Sequence, residues 1–238
     1  MSTRSLAPGI DIQHITLPLR LADYRMIAFD MDSTLIDIES LDEMADLMGC
    51  KAEVAALTEA AMQGEITDYK ASLRERVALM AGMPEKDLDV VYHERLRLNP
   101  GVEALIAACK AGGLKCILVT GGFTCFTDRL CARLGLDDVR ANVLEIRDGA
   151  LTGRMLPQPW GDICDGEQKK TKILEICARD GFDPSQVIAM GDGANDLPMM
   201  SAVGLSVAYH AKPAVRAQAN VAINEGGLDR LLELFASA

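Results

Sequence analysis

Two apolar runs in this chain end in aspartates, and that pairing constrains the fold more than any other feature. Met26-Ile27-Ala28-Phe29 stops at Asp30-Met31-Asp32-Ser33-Thr34, and Val187-Ile188-Ala189-Met190 stops at Gly191-Asp192-Gly193-Ala194-Asn195-Asp196. Each run predicts a buried strand. In an extended chain, side chains two apart point the same way, so Asp30 and Asp32 are expected to project together from a strand's carboxyl end. Carboxylates held in one small volume repel each other unless a cation or a shared proton compensates. Four aspartates at two strand ends therefore predict one metal site.

Around these runs, strands alternate with helices, which implies a parallel sheet covered on both faces and an α/β class. The pattern predicts a helix over 101–111, a strand over 116–120, a helix over 124–134, and strands over 187–192 and 205–208. Two strand-like runs flank Asp148-Gly149, a dipeptide suited to a tight hairpin. From Ser40 to Arg97 the apolar spacing turns helical, through Leu41, Met44, Leu47 and Met48, then Val54, Leu57 and Ala61, then Leu73, Val77 and Met80. The division expected is an amino-terminal extension over 1–24, a core over 25–37 and 99–238, and a helical insertion over 38–98. Ligands of open parallel sheets bind beyond the carboxyl ends of the strands, so an insertion just after the first core strand can cover the site.

Composition narrows the function classes. A net charge of -11, from 35 acidic and 24 basic residues, argues against general attraction to nucleic acid or anionic membranes. An anionic substrate would need local positive charge. The first 25 residues hold no apolar segment of secretory type, and no run of about 18 apolar residues suits a membrane span, so a cytoplasmic enzyme is the expectation. Seven cysteines without a Cys-x-x-Cys pair read as reduced, structural thiols.

A carboxylate at position 30 can accept a phosphoryl group to give an acyl phosphate. Asp32 can then protonate the departing alkoxide and afterwards take a proton from the hydrolytic water. Hard oxygen donors without nearby histidine or cysteine suit magnesium better than zinc, with Asp30, Asp192 and the backbone carbonyl of Asp32 as expected ligands. Thr120, Gly121 and Gly122 offer a hydroxyl and backbone NH groups as a phosphate cradle. Lys170, opening a helix at Lys170-Thr171-Lys172-Ile173-Leu174, offers the missing positive charge.

In order, Asp30-x-Asp32, Thr120, Lys170 and Gly191-Asp192-x-x-x-Asp196 resemble the four motifs of the haloacid dehalogenase superfamily. Within it, Asp30-Met31-Asp32-Ser33-Thr34-Leu35 with Glu39, Ser72-Leu73-Arg74-Glu75-Arg76-Val77, Gly121-Gly122-Phe123 and Gly191-Asp192-Gly193-Ala194-Asn195-Asp196 look like the phosphoserine phosphatase family, over roughly residues 24–230. The resemblance implies a Rossmann-like three-layer core, a helical-bundle cap and magnesium-dependent hydrolysis of O-phosphoserine, the last step of phosphorylated serine biosynthesis. It implies Asp30 as nucleophile, Asp32 as general acid/base, and Thr120, Gly121, Gly122, Lys170 and Asn195 as phosphate contacts. Asp192 corresponds to a metal ligand and Asp196 to its support. Glu39 corresponds to the ammonium site and Arg76 to the carboxylate site, with Met62 and Tyr69 near the cap's contact surface. The choice of Lys170 over Lys169 and Lys172 rests on the resemblance alone. The rival activities are phosphoryl transfer to another alcohol such as homoserine, and a non-catalytic phospho-aspartate signalling module. An inserted cap and an acid at position 32 count against the second.

Overall fold

Side chains of the strand at 26–29 divide by parity. Ile27 and Phe29 enter one apolar core and Met26 and Ala28 enter another. The same split recurs in Cys116 and Leu118 against Ile117 and Val119, and in Ile188 and Met190 against Val187 and Ala189. A strand apolar on both faces needs cover on both, and each fully buried aliphatic side chain gains roughly 1.5–3 kcal/mol from that cover.

The computed structural model describes residues 4–62 and 68–236, without the side chains of residues 61 and 62. In chain order come β1 (Arg4–Ala7), β2 (Ile10–Ile12), β3 (Met26–Phe29), α1 (Ser40–Leu47), α2 (Lys51–Met62), α3 (Tyr69–Ala78), α4 (Lys86–Val90) and α5 (Val102–Ala111). There follow β4 (Lys115–Phe123), α6 (Thr124–Leu134), β5 (Asp138–Arg147), β6 (Ala150–Leu156), α7 (Gly166–Asp180), β7 (Val187–Gly191), α8 (Leu197–Met200), β8 (Leu205–Tyr209), α9 (Pro213–Arg216) and β9 (Val221–Ile223). Helices α5 and α6 cover one face through Leu105, Ile106 and Leu130, and α7 and α8 cover the other through Ile173, Ile176 and Met199. The result is a three-layer α/β core.

Among the described residues one sheet runs in the order β1-β2-β9-β8-β7-β3-β4-β5-β6. The six central strands are parallel, while β2 joins β9, and β6 joins β5, in antiparallel fashion. From β3 the chain proceeds to β4 on one side and later returns to β7 on the other, which makes the crevice beside β3 a topological switch point. Phe29 is level with Leu118 and with Met190, so Asp30, Thr120 and Asp192 emerge together at one end of the sheet.

The hairpin at Asp148-Gly149 forms as β5 and β6, with both residues at positive φ, as such a turn requires. The amino-terminal region does more than extend the chain, since β1 and β2 widen the sheet. Near them, Gly9 accepts a hydrogen bond from the Asn224 amide, and Leu19 exchanges backbone hydrogen bonds with Leu234 and Ala236.

Helices α1 to α4 leave the sheet after β3 and return before α5. A single bridge between Ile36 and Leu98 marks the two crossings, where the Asn99 side-chain amide donates to the carbonyls of Thr34 and Ile36 at 2.8 and 2.9 Å. Ion pairs tie these helices to the sheet side on two flanks. Lys212 meets Glu59 of α2 at 2.9 Å, and Lys70 and Arg74 of α3 both meet Asp162.

Candidate active site

Beyond the ends of β3 and β4, a cavity of about 40 Å³ is roofed by α1, α2 and α3. Asp30, Asp32, Thr120, Gly121, Gly122 and Asn195 line its floor, and Glu39, Thr58, Tyr69 and Arg76 line its roof. The fold brings Asp30, Asp32, Glu39, Arg76, Thr120, Gly121, Gly122 and Asn195 to this cavity, with Asp192 and Asp196 clustered beside Asp30, and two expected residues are exceptions. Met62 ends α2, and its side chain lies outside the described residues.

The second exception is Lys170, and here the expectation is corrected. Lys170 faces outward, 3.7 Å from Glu167, whereas Lys169 is fully buried between Asp30 at 2.9 Å and Asp196 at 2.7 Å. The physical reason is helical phase. Helix α7 begins at Gly166, capped by the Asp165 side chain, and its buried face runs through Gly166, Lys169, Ile173, Ile176 and Cys177. Lys170 falls about 100° away from that stripe. Burial opposes the Lys169 charge, but Asp196 and Asp30 outweigh it and hold its pKa well above the ordinary value.

Carboxylate oxygens of Asp30, Asp192 and Asp196 lie within 4.8 Å of one another, all buried. They are not equivalent. Asp196 accepts from Lys169 on Oδ1 and from the amides of Asp192 and Gly193 on Oδ2, at 3.1 Å each. Both its oxygens are committed, so it braces the turn. Asp30 takes the Met31 amide and Lys169 on Oδ1, and Asp192 takes the Thr34 hydroxyl on Oδ1 at 3.3 Å. Their Oδ2 atoms carry none of these contacts. Burial first, then Asp196 and Asp30, drive the Asp192 pKa well up, and burial with Asp30 raises Asp196 to about 6. One buried ammonium against three carboxylates leaves negative charge uncompensated, and hard oxygen donors suit a divalent cation of the magnesium type.

Asp32 does not continue the strand as expected. The chain leaves β3 through a tight turn over Met31–Leu35, with Ser33 at φ 55°. Asp32 still reaches the cavity, but its carboxylate stands apart from the cluster and accepts from the Ser40 amide and hydroxyl, both at 3.0 Å. Burial, followed by Asp30, raises its pKa to about 7. Such a group exchanges a proton near neutrality. Ser33 donates its hydroxyl to Glu39 at 2.5 Å, and burial followed by Asp32 holds Glu39 well above its ordinary pKa.

Close approach explains two glycines. A Cβ on Gly121 would lie 2.0 Å from the Tyr69 hydroxyl, and one on Gly191 would lie 2.3 Å from the Asp196 carboxyl. Asn142, absent from the sequence reading, fixes the Gly121 loop by donating to its carbonyl and accepting from the Cys164 amide, both at 2.8 Å. Ser40, Thr34 and Thr58 were likewise unassigned, because small hydroxyl residues carry no spacing signal of their own.

Comparison with known proteins agrees with this geometry. A family model described as haloacid dehalogenase-like hydrolase matches residues 27–201. A protein of Albidiferax ferrireducens named phosphoserine phosphatase is 63% identical over 235 residues, covering 99% of each chain. Its counterpart of the same name in Polaromonas sp. is 64% identical over 234 residues, covering 98% of this chain and 99% of that one. A solved structure described as a phospho-aspartyl intermediate analogue of phosphoserine phosphatase superposes with a TM-score of 0.84 at 32% identity, over 90% of this chain and 99% of that chain. By its motifs, its topology and these matches, the chain belongs to the haloacid dehalogenase-like hydrolases.

Proposed function

We propose that the chain hydrolyses O-phosphoserine to serine and phosphate through an aspartyl phosphate on Asp30. The observation that carries this reading is the single cavity shared by Asp30 and Asp32 on the sheet side and Glu39 and Arg76 on the helical side. Phosphoserine has one group for each: a phosphate for the floor, an ammonium for Glu39 and a carboxylate for Arg76. Two close relatives bear the name of that activity.

Asp30 attacks phosphorus through the oxygen that Lys169 does not hold, while Asp32 gives its proton to the departing serine oxygen. Asp32 then takes a proton from the water that cleaves the acyl phosphate, and the site returns to its first state. Lys169 holds Asp30 in place and offsets part of the local negative charge. Thr120 accepts the Gly122 amide on its oxygen at 2.9 Å and so keeps its hydroxyl hydrogen for phosphate, beside the Gly121 amide. Asn195 also lines this floor, and its side-chain NH2 can donate to a phosphate oxygen and complete the cradle. Magnesium would sit on Asp30 and Asp192, where its chemistry is to neutralise nucleophile and phosphate. The helical insertion over 38–98 acts as a cap.

The test is phosphate release from O-phosphoserine, phosphothreonine and a neutral phosphate ester, with and without Mg²⁺, repeated for Glu39→Gln and Arg76→Ala. Many turnovers on phosphoserine and few on the neutral ester are expected for the wild type. Both variants should lose phosphoserine turnover, each by roughly 2–5 kcal/mol of transition-state stabilisation, while the neutral ester changes little. Equal wild-type rates on all substrates would remove the amino-acid assignment.

A further inference from the structure

Arg76 is 5% exposed, lines the cavity, and makes one side-chain hydrogen bond among the described residues: Nη1 donates to the Thr58 hydroxyl at 3.0 Å. Its Nε is buried without a partner among those residues. Thr58, 4% exposed on α2, in turn donates to Asp42 Oδ1 of α1 at 2.8 Å, and lies 3.0 Å from the carbonyl of Val54 one turn back. Three cap helices thus meet in one chain of contacts, from α1 through α2 to α3.

The order of that chain has a chemical consequence. A carboxylate set directly against a guanidinium engages it with two parallel hydrogen bonds and consumes the face that a ligand would use. Thr58 stands between the two instead. Its oxygen accepts one of the five N–H donors of Arg76, its single proton goes to Asp42 or to Val54, and the remaining donors have no side-chain hydrogen bond among the described residues. The negative charge of Asp42 is kept one hydroxyl away, close enough to balance the buried cation and too far to occupy it.

We propose that Thr58, oriented by Asp42, is a positioning residue that aims Arg76 at the carboxylate of the substrate and thereby sets selectivity for amino-acid phosphates. The inference rests on the proposed phosphoserine reading, and it makes a separate claim about two residues of α1 and α2 in the roof of the cavity and behind it. Its consequence is confined to substrates that carry a carboxylate.

The experiment compares O-phosphoserine with O-phosphoethanolamine, which lacks only the carboxylate, and follows the ratio of their kcat/KM values. The wild-type ratio is the control: a ratio near one overturns the reading of Arg76 and the present proposal with it. Given a wild-type preference, Thr58→Val should lower the ratio about tenfold, mainly through KM for phosphoserine, because the hydroxyl is lost at nearly constant volume. Thr58→Ser should restore the ratio. Asp42→Ala, which leaves the hydroxyl to Val54, should lower it about threefold. An unchanged ratio in both Thr58→Val and Asp42→Ala, or equal losses on the two substrates, overturns the proposal while sparing the phosphatase.

Discussion

The two lysines at the start of α7 are adjacent in sequence, yet one is buried and the other exposed. Lys169→Met leaves Asp30 and Asp196 buried without their cation, and breaking such a pair costs about 3–5 kcal/mol where the carboxylates stay charged. Turnover should fall at least about a hundredfold, with a lower melting temperature at pH 8. Lys170→Met, at an exposed position, should stay within about twofold in both assays, and equal losses would put the phosphate-side charge back on Lys170. The distinction was present in the sequence. Lys169, Ile173, Ile176 and Cys177 recur at helical spacing, so Lys169 occupies an apolar stripe where an unpaired lysine would be costly. The motif order located the lysine segment, but only the helical phase selects the residue. Asp30→Asn, by contrast, should abolish steady-state phosphate release, since an amide cannot form the acyl phosphate.

At the scale of elements, the strand ends set the chemistry through backbone proximity. Gly191→Ala would drive a Cβ into the Asp196 carboxyl and break the two amide contacts that hold the turn after β7. Overpacking of this sort costs about 1–3 kcal/mol, and Mg²⁺ titrations of the variant should show weakened binding. Unchanged affinity would detach the Asp196 brace from the metal site. The central strands were readable because both their faces are apolar and their ends are acidic. Strands β1, β2 and β9 were not, since Ile10-Asp11-Ile12 and Val221-Ala222-Ile223 are three residues long and gain their identity only from each other. The turn at Ser33 was equally hidden. Its positive φ is what puts Asp32 under Ser40 and the Ser33 hydroxyl under Glu39, and no periodicity reports a left-handed serine.

For the whole molecule, the acidic cluster predicts a stability that depends on pH and on divalent cations. Asp32, raised to about 7 from 3.8, and Asp196, raised to about 6, bind protons in the folded state that the unfolded chain has already released. Glu39 and Asp192 shift in the same direction. Between about pH 4 and pH 7 the native state therefore holds more protons, and its stability falls as pH rises through that window. Metal-free protein should melt at a lower temperature at pH 8 than at pH 5.5, and Mg²⁺ should raise the melting point more at pH 8, by about 2–4 °C for each kcal/mol regained. A melting point that climbs with pH in chelator would contradict the charge arrangement.

The sheet is finished by partners from opposite ends of the chain, Ile10 against Ile223 and Leu19 beside Leu234. During synthesis on the ribosome, the hairpin of β1 and β2 can therefore join the sheet only after β9 has been made. Contacts so distant along the chain slow the search for the native state. A nascent polypeptide cut short before residue 220 would leave the hairpin of β1 and β2 without β9 to dock on, however well the site beyond β3 and β4 had formed.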